Sequence, residues 1–195
     1  MHSGFNAIET ENKMEMKTLR LSGVIRESIV DGPGIRMTIF GQGCPHCCKG
    51  CHNPETQSYD GGYISHPENI IKAIEQNPLL QGVTFSGGEP FVQAEAFAEL
   101  GEEIKKRGLH LMTYSGYTFE EILDGIESGN PGWKELLSVT DVLVDGRFVL
   151  AEKSLNILFR GSKNQRLINV KKSLESNEIV LWNPEEETGV LKYKK

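Results

Sequence analysis

All four cysteines of this chain fall between positions 44 and 51, in the run Cys44-Pro-His-Cys47-Cys48-Lys-Gly-Cys51. Disulfides stabilise a small domain by closing long loops, and cysteines at this spacing close none. One loop must therefore be ordered tightly enough to present several sulfurs, and its chemistry is metal binding or redox exchange. The residues leave three readings open. Cys44, Cys47, Cys48 and Cys51 together give a tetrahedral zinc site, although such sites usually draw pairs from separated segments, and adjacent Cys47 and Cys48 aim poorly at one ion. Cys44 with Cys47, or Cys48 with Cys51, gives a thioredoxin-like CxxC, which normally opens a helix. In the third reading Cys47 stands aside, and Cys44, Cys48 and Cys51 hold an iron-sulfur cube whose fourth iron has no protein ligand. An open iron is a place for a substrate, as the open position of a catalytic zinc is.

The remainder of the chain bounds what surrounds that loop. At 195 residues it fits one domain, and 38% hydrophobic with 25% charged residues is the composition of a soluble globular protein. A formal charge of -6 argues against a general nucleic-acid binder. No stretch approaches the ~20 apolar residues of a membrane span, and the N-terminus has no signal-peptide core, so a cytoplasmic protein without membrane contact is expected. Residues 1–16 are polar and unpatterned and are expected to form a loose extension; residues 17–195 are expected to form a single domain with a mobile charged tail.

Strand and helix signals alternate. Ile35 to Phe40 reads as the first strand, leaving the turn Asp31-Gly-Pro-Gly34, with the cysteine loop at its carboxyl end. Val83 to Phe85 reads as a strand, and Ser86-Gly87-Gly88-Glu89-Pro90 as the turn into a helix from Phe91 to Arg107. In that helix Phe97, Leu100 and Ile104 recur at helical spacing, and Gly108 is the stop. In the turn, bare Gly87 and Gly88 let backbone approach a ligand, and Glu89 suits an ammonium group. Leu109 to Tyr114 reads as a strand ending in Ser115; Thr118 with Glu121 is a capping-box pattern; Val142 to Val144 is a strand ending in Asp145-Gly-Arg147; and Ile179 to Trp182 is a candidate closing strand. The expected class is α/β with parallel βαβ units. At this length the form is an incomplete, open β/α barrel of parallel strands, short of the ~250 residues of a full one.

Val30-Asp-Gly-Pro-Gly-Ile-Arg36, Phe40-Gly-Gln-Gly-Cys44, Cys51-His-Asn-Pro54 and Ser86-Gly-Gly-Glu-Pro90 together resemble the radical S-adenosylmethionine (SAM) superfamily, specifically its glycyl-radical-enzyme activases. Thr140-Asp-Val-Leu-Val-Asp-Gly-Arg-Phe148 and Phe159-Arg-Gly-Ser-Lys-Asn-Gln-Arg166 resemble the branch serving the anaerobic (class III) ribonucleoside-triphosphate reductase. The likeness runs from about Leu19 to Val170. The resemblance implies one [4Fe-4S] cluster on Cys44, Cys48 and Cys51, with SAM cleaved reductively to methionine and a 5′-deoxyadenosyl radical. That radical takes a hydrogen atom from a glycine Cα of the reductase, with electrons from a low-potential donor such as a flavodoxin or ferredoxin. It also implies that Gly87, Gly88 and Glu89 hold the methionine amino group, and that Asp145, Arg147 and, with Tyr114, Ser115 lie around SAM.

In that superfamily an aromatic often precedes the last cysteine near the adenine. Here the position is Gly50, which shifts the expected contact to His52 and leaves Gly50 its backbone. Cys47 fits no ligand position and is expected to be a bystander on the outer side of the loop; His46 is expected to face solvent. Arg160, Lys163 and Arg166 form a basic polar loop suited to the partner, to the SAM carboxylate, or simply to solvent. The neighbouring alternative is a pyruvate formate-lyase-type activase; one of a different class is a zinc-binding interaction module using the cysteines with His46 or His52.

Overall fold

The structure is a computed structural model that describes residues 15–184. The expected extension up to residue 14 and the expected tail beyond residue 184 lie outside the described residues, while Met16 packs against the core. In chain order the elements are strands β1 (Leu19–Ser28), β2 (Arg36–Gly41) and β3 (Tyr63–Ser65), helix α1 (Pro67–Glu75), β4 (Gly82–Gly87), α2 (Ala94–Lys106) and β5 (His110–Tyr114). There follow α3 (Phe119–Glu127), α4 (Trp133–Val139), β6 (Val142–Asp145), β7 (Arg166–Asn169) and α5 (Val170–Ser176).

The strands form one seven-stranded sheet in the order β3-β1-β2-β4-β5-β6-β7. The centre, β2-β4-β5-β6, is parallel, but β1 pairs antiparallel with β2 and β3, and β7 antiparallel with β6. The expectation of an all-parallel sheet is corrected to a mixed one, for a reason of chain length. Residues 29–35 between β1 and β2 are too few for a crossover, which needs a dozen or more residues, so the chain doubles back. The cysteine loop accordingly follows the second strand, not the first. The candidate strand at Ile179 to Trp182 reduces to an isolated bridge between Leu181 and Ile168.

The central strands are short apolar runs because both faces are covered: Val83 and Phe85 in β4 and all four residues of β6 are buried. Phe97, Leu100 and Ile104 of α2 are fully buried, and the Phe97 ring lies 4.7 Å from that of Phe85. The expected Phe91–Arg107 helix begins instead with a 3-10 turn over Pro90–Gln93, where the Glu89 side chain accepts from the Phe91 amide. Gly108, with φ +72°, sits in the left-handed region just beyond the helix, as a stop residue should. Thr118 and Glu121 form the reciprocal capping box at the start of α3. This arrangement gathers the carboxyl ends of β2, β4, β5 and β6 at one end of the sheet, where open α/β sheets place ligands.

Candidate active site at the cysteine loop

Beyond β2 the chain is clamped before the first cysteine is reached. Gly43 N donates to Thr56 O at 2.8 Å, Cys44 N to Gln57 O at 3.0 Å, and the buried amide of Gln42 reaches the carbonyl of Glu55 at 3.0 Å. Within the loop, Cys51 N donates to Cys48 O at 3.1 Å. Cys44, Cys48 and Cys51 are half-buried, whereas Cys47 is exposed in a left-handed conformation, φ 48°. The outward placement expected for Cys47 agrees with this.

The turn after β4 is built against that loop. Gly88 N donates to Gly41 O and Glu89 N to Gly43 O, each at 2.8 Å. A Cβ on Gly88 would stand 2.3 Å from Gly43 O, and one on Gly87, which has φ +92°, 2.7 Å from Gly41 N. The close approach that the two bare glycines permit is to the backbone beneath the cysteines. Glu89 is 1% exposed and its carboxylate has four donors. Oε1 accepts from Ser115 Oγ at 3.0 Å and Phe91 N at 3.1 Å; Oε2 accepts from Gly116 N at 2.8 Å and His46 Nε2 at 2.9 Å. The expectation that His46 faces solvent is overturned. Its side chain is 4% exposed, because an imidazole in the cysteine loop finds a buried carboxylate and, at 4.5 Å, the edge-on ring of Tyr117.

The other expected residues ring the same end of the sheet. A cavity of about 590 Å³ is lined by Gly116, Asp145, Arg147, Val149, Asn164 and Arg166 among others. Asp145 is buried, and its carboxylate is already engaged by Arg166 and by the Phe119 amide. Arg166 also grips Glu120, so it ties β7 to β6 and to the first turn of α3. Hydrogen bonds to Asp145 and then Glu120 raise the guanidinium pKa further. Arg147 is exposed and lies 3.9 Å from Glu121. The Tyr114 hydroxyl donates to Phe159 O at 2.9 Å, and burial pushes its pKa up. His52 is exposed and rests on the Phe148 ring at 4.8 Å; Gly50, with φ +76°, lies under Leu150, whose Cδ1 is 3.1 Å from where a Cβ would be. Phe148 and Leu150, beside the loop, and Glu120 were not among the sequence candidates. The Phe-Val-Leu run after Asp145-Gly-Arg147 was the available signal for the first two.

The donor set suits a cluster. Among the described residues no three His, Cys, Asp or Glu side chains gather as for a single metal ion; three half-buried thiols on one loop are the donor type that holds iron-sulfur clusters. Burial pushes the Cys44 thiol up to about 11, and the nearby Glu89, Cys48 and Cys51 act in the same direction. Bound iron would supply the positive charge that such thiols need in order to ionise.

A family model described as a "4Fe-4S single cluster domain" matches residues 30–168. An anaerobic ribonucleoside-triphosphate reductase-activating protein of Vibrio cholerae is 34% identical over 145 residues, covering 70% of this chain and 89% of the relative. The protein of the same name from Escherichia coli is 31% identical over 145 residues, covering 70% and 90%. A pyruvate formate-lyase-activating enzyme of Clostridium pasteurianum is 30% identical over 206 residues, covering 90% and 86%. The chain belongs to the 4Fe-4S single-cluster domain family and, within it, to the radical SAM activases of glycyl-radical enzymes. The single-ion zinc reading of the cysteines gives way to a [4Fe-4S] cluster with SAM.

Proposed function

We propose that this chain activates an anaerobic ribonucleoside-triphosphate reductase by generating its glycyl radical through reductive cleavage of SAM. The observation that carries the reading is the bonding of the Gly87-Gly88-Glu89 turn to the base of a loop with three half-buried cysteines, in a chain about a third identical to activating proteins of that reductase. Cys44, Cys48 and Cys51 hold the cluster, whose chemistry when SAM is bound is one-electron cleavage of a carbon-sulfur bond. Glu89, a buried carboxylate held by two backbone amides, the Ser115 hydroxyl and the His46 imidazole, binds the methionine ammonium. Ser115 orients that carboxylate. Asp145 and Arg147 face the remaining polar groups of SAM, and Gly50 and His52 bound its adenine, beside Phe148 and Leu150. In this reading the mixed sheet forms an open barrel around this end, and enclosing the site in that way shields the reaction from water. The chain acts as one domain in the cytoplasm, and a flavodoxin or ferredoxin supplies electrons. Among the described residues no helix is long and apolar enough to cross a membrane.

The Clostridium pasteurianum relative, matched over 90% of this chain, favours pyruvate formate-lyase as a second partner to test. Reduced, anaerobically reconstituted protein should be mixed with SAM and each candidate glycyl-radical enzyme in turn. A glycyl-radical spin signal on the reductase is expected; a signal on the lyase alone would reassign the partner, and none on either would defeat the reading.

A further inference from the structure

The hydrogen bond between His46 and Glu89, 2.9 Å long, carries an inference that rests on the reading of Glu89 as the SAM ammonium site. An ionised carboxylate has about four acceptor positions, and in Glu89 all four are taken by Ser115 Oγ, Phe91 N, Gly116 N and His46 Nε2. The carboxylate is 0% exposed, so an incoming ammonium finds neither a free lone pair nor an open approach. One donor must leave. Two of the four are backbone amides fixed by the turn after β4 and the end of β5, and Ser115 Oγ is itself held by the Tyr117 amide at 3.0 Å. His46 is the exception, a side chain on the cysteine loop that can rotate away.

The surroundings of Gly116 are shaped to that imidazole. The three atoms nearest to a Cβ built there all belong to His46, the first two being Cδ2 at 2.2 Å and Nε2 at 2.5 Å. Gly116 is not in the left-handed region, so only the space taken by the ring, and not backbone strain, excludes a methyl group.

We propose that His46 is a stand-in for the amino group of SAM. It holds Glu89 while no SAM is present, and SAM binds by putting its ammonium where the His46 Nε2–H had been. His46 lies between Cys44 and Cys48, so the swing that vacates Glu89 is a movement within the cluster loop. By linkage, whatever draws His46 off Glu89 favours SAM to the same degree.

The test is equilibrium dialysis of the anaerobically reconstituted full chain with SAM and with its analogue bearing hydrogen in place of the amino group. His46→Ala is expected to bind SAM about tenfold more tightly, the scale of one hydrogen bond to a charged group, and to leave the analogue unchanged. His46→Gln, which keeps an N–H donor, should restore affinity toward the original. Gly116→Ala is expected to weaken SAM binding, since its methyl fills the place that imidazole and ammonium share; it carries the test if His46→Ala does not hold its fold. Unchanged or weaker SAM binding by His46→Ala, equal tightening of both ligands, or undiminished SAM binding by Gly116→Ala would overturn the proposal. An original chain that binds no SAM would instead defeat the underlying reading of Glu89.

Discussion

The amide of Glu89 donates to the carbonyl of Gly43 across 2.8 Å, which bonds the turn after β4 to the residue just before the first cysteine. The two halves of the site, sulfur donors and buried carboxylate, are thereby one object held by the pairing of β2 with β4. Gly88→Ala tests that dependence, because its Cβ would stand 2.3 Å from Gly43 O. The expected cost is about 2 kcal/mol of stability from forced separation of the two turns, with a fall in iron content on reconstitution. Urea denaturation and iron analysis check it; a variant matching the original in both would contradict the coupling.

The cysteines divide three to one. Cys44→Ala, Cys48→Ala and Cys51→Ala are each expected to lose the brown chromophore, the iron and the sulfide. Cys47→Ala is expected to keep all of them, because Cys47 is exposed while the other three are half-buried. Iron and sulfide analysis after anaerobic reconstitution decides it. Loss of iron from the Cys47 variant would bring a fourth ligand into the site.

Much of this site is legible in the sequence, because its signals are local. The cysteine spacing, the bare glycines before Glu89 and the Thr118–Glu121 capping box each act within a few residues, and β2, β4, β5 and β6 are rich enough in β-branched, aromatic and other apolar residues to read as strands. The antiparallel wings are not legible in that way. Only the first and third residues of β1 are deeply buried until Ser28, and β7 adds just Leu167 and Ile168 after a polar loop. Helix α1 is signalled by Pro67 in its first turn and Ile70, Ile71 and Ile74 at helical spacing, a pattern absent from the sequence expectations. The place of His46 depends on a carboxylate 43 residues away, which no local pattern contains. Arg166, likewise, reads as part of a basic loop until the fold brings Asp145 and Glu120 to it.

Removing the Arg166 guanidinium should leave Asp145, 1% exposed, without its charged partner. Arg166→Met is expected to cost about 3 kcal/mol, the scale for breaking a buried pair, and adding Asp145→Asn should recover part of that loss. A double-mutant cycle by urea denaturation measures the coupling. Additive losses would show that the pair contributes nothing beyond its separate members.

Glu120 gives a pH dependence with a definite sign. The hydrogen bond from Arg166 holds its carboxyl at about 2, against an ordinary 4.5. A lowered folded-state pKa means that the stabilisation is fully present above pH 4.5 and is lost as the pH falls toward about 2. The stability gap between the original and Glu120→Gln should therefore be constant at higher pH and close across that window. A gap that stayed constant down to pH 2.5, roughly half a unit above the folded value, would contradict the assignment.

The central claim, a cluster held by three sulfurs with one iron open to SAM, is tested most directly by the spin resonance of the reduced, anaerobically reconstituted protein before and after SAM is added. The expected result is a [4Fe-4S] signal that changes on addition of SAM, as direct ligation of the open iron requires. A signal indifferent to SAM, or a colourless protein that takes up zinc instead of iron, would contradict it.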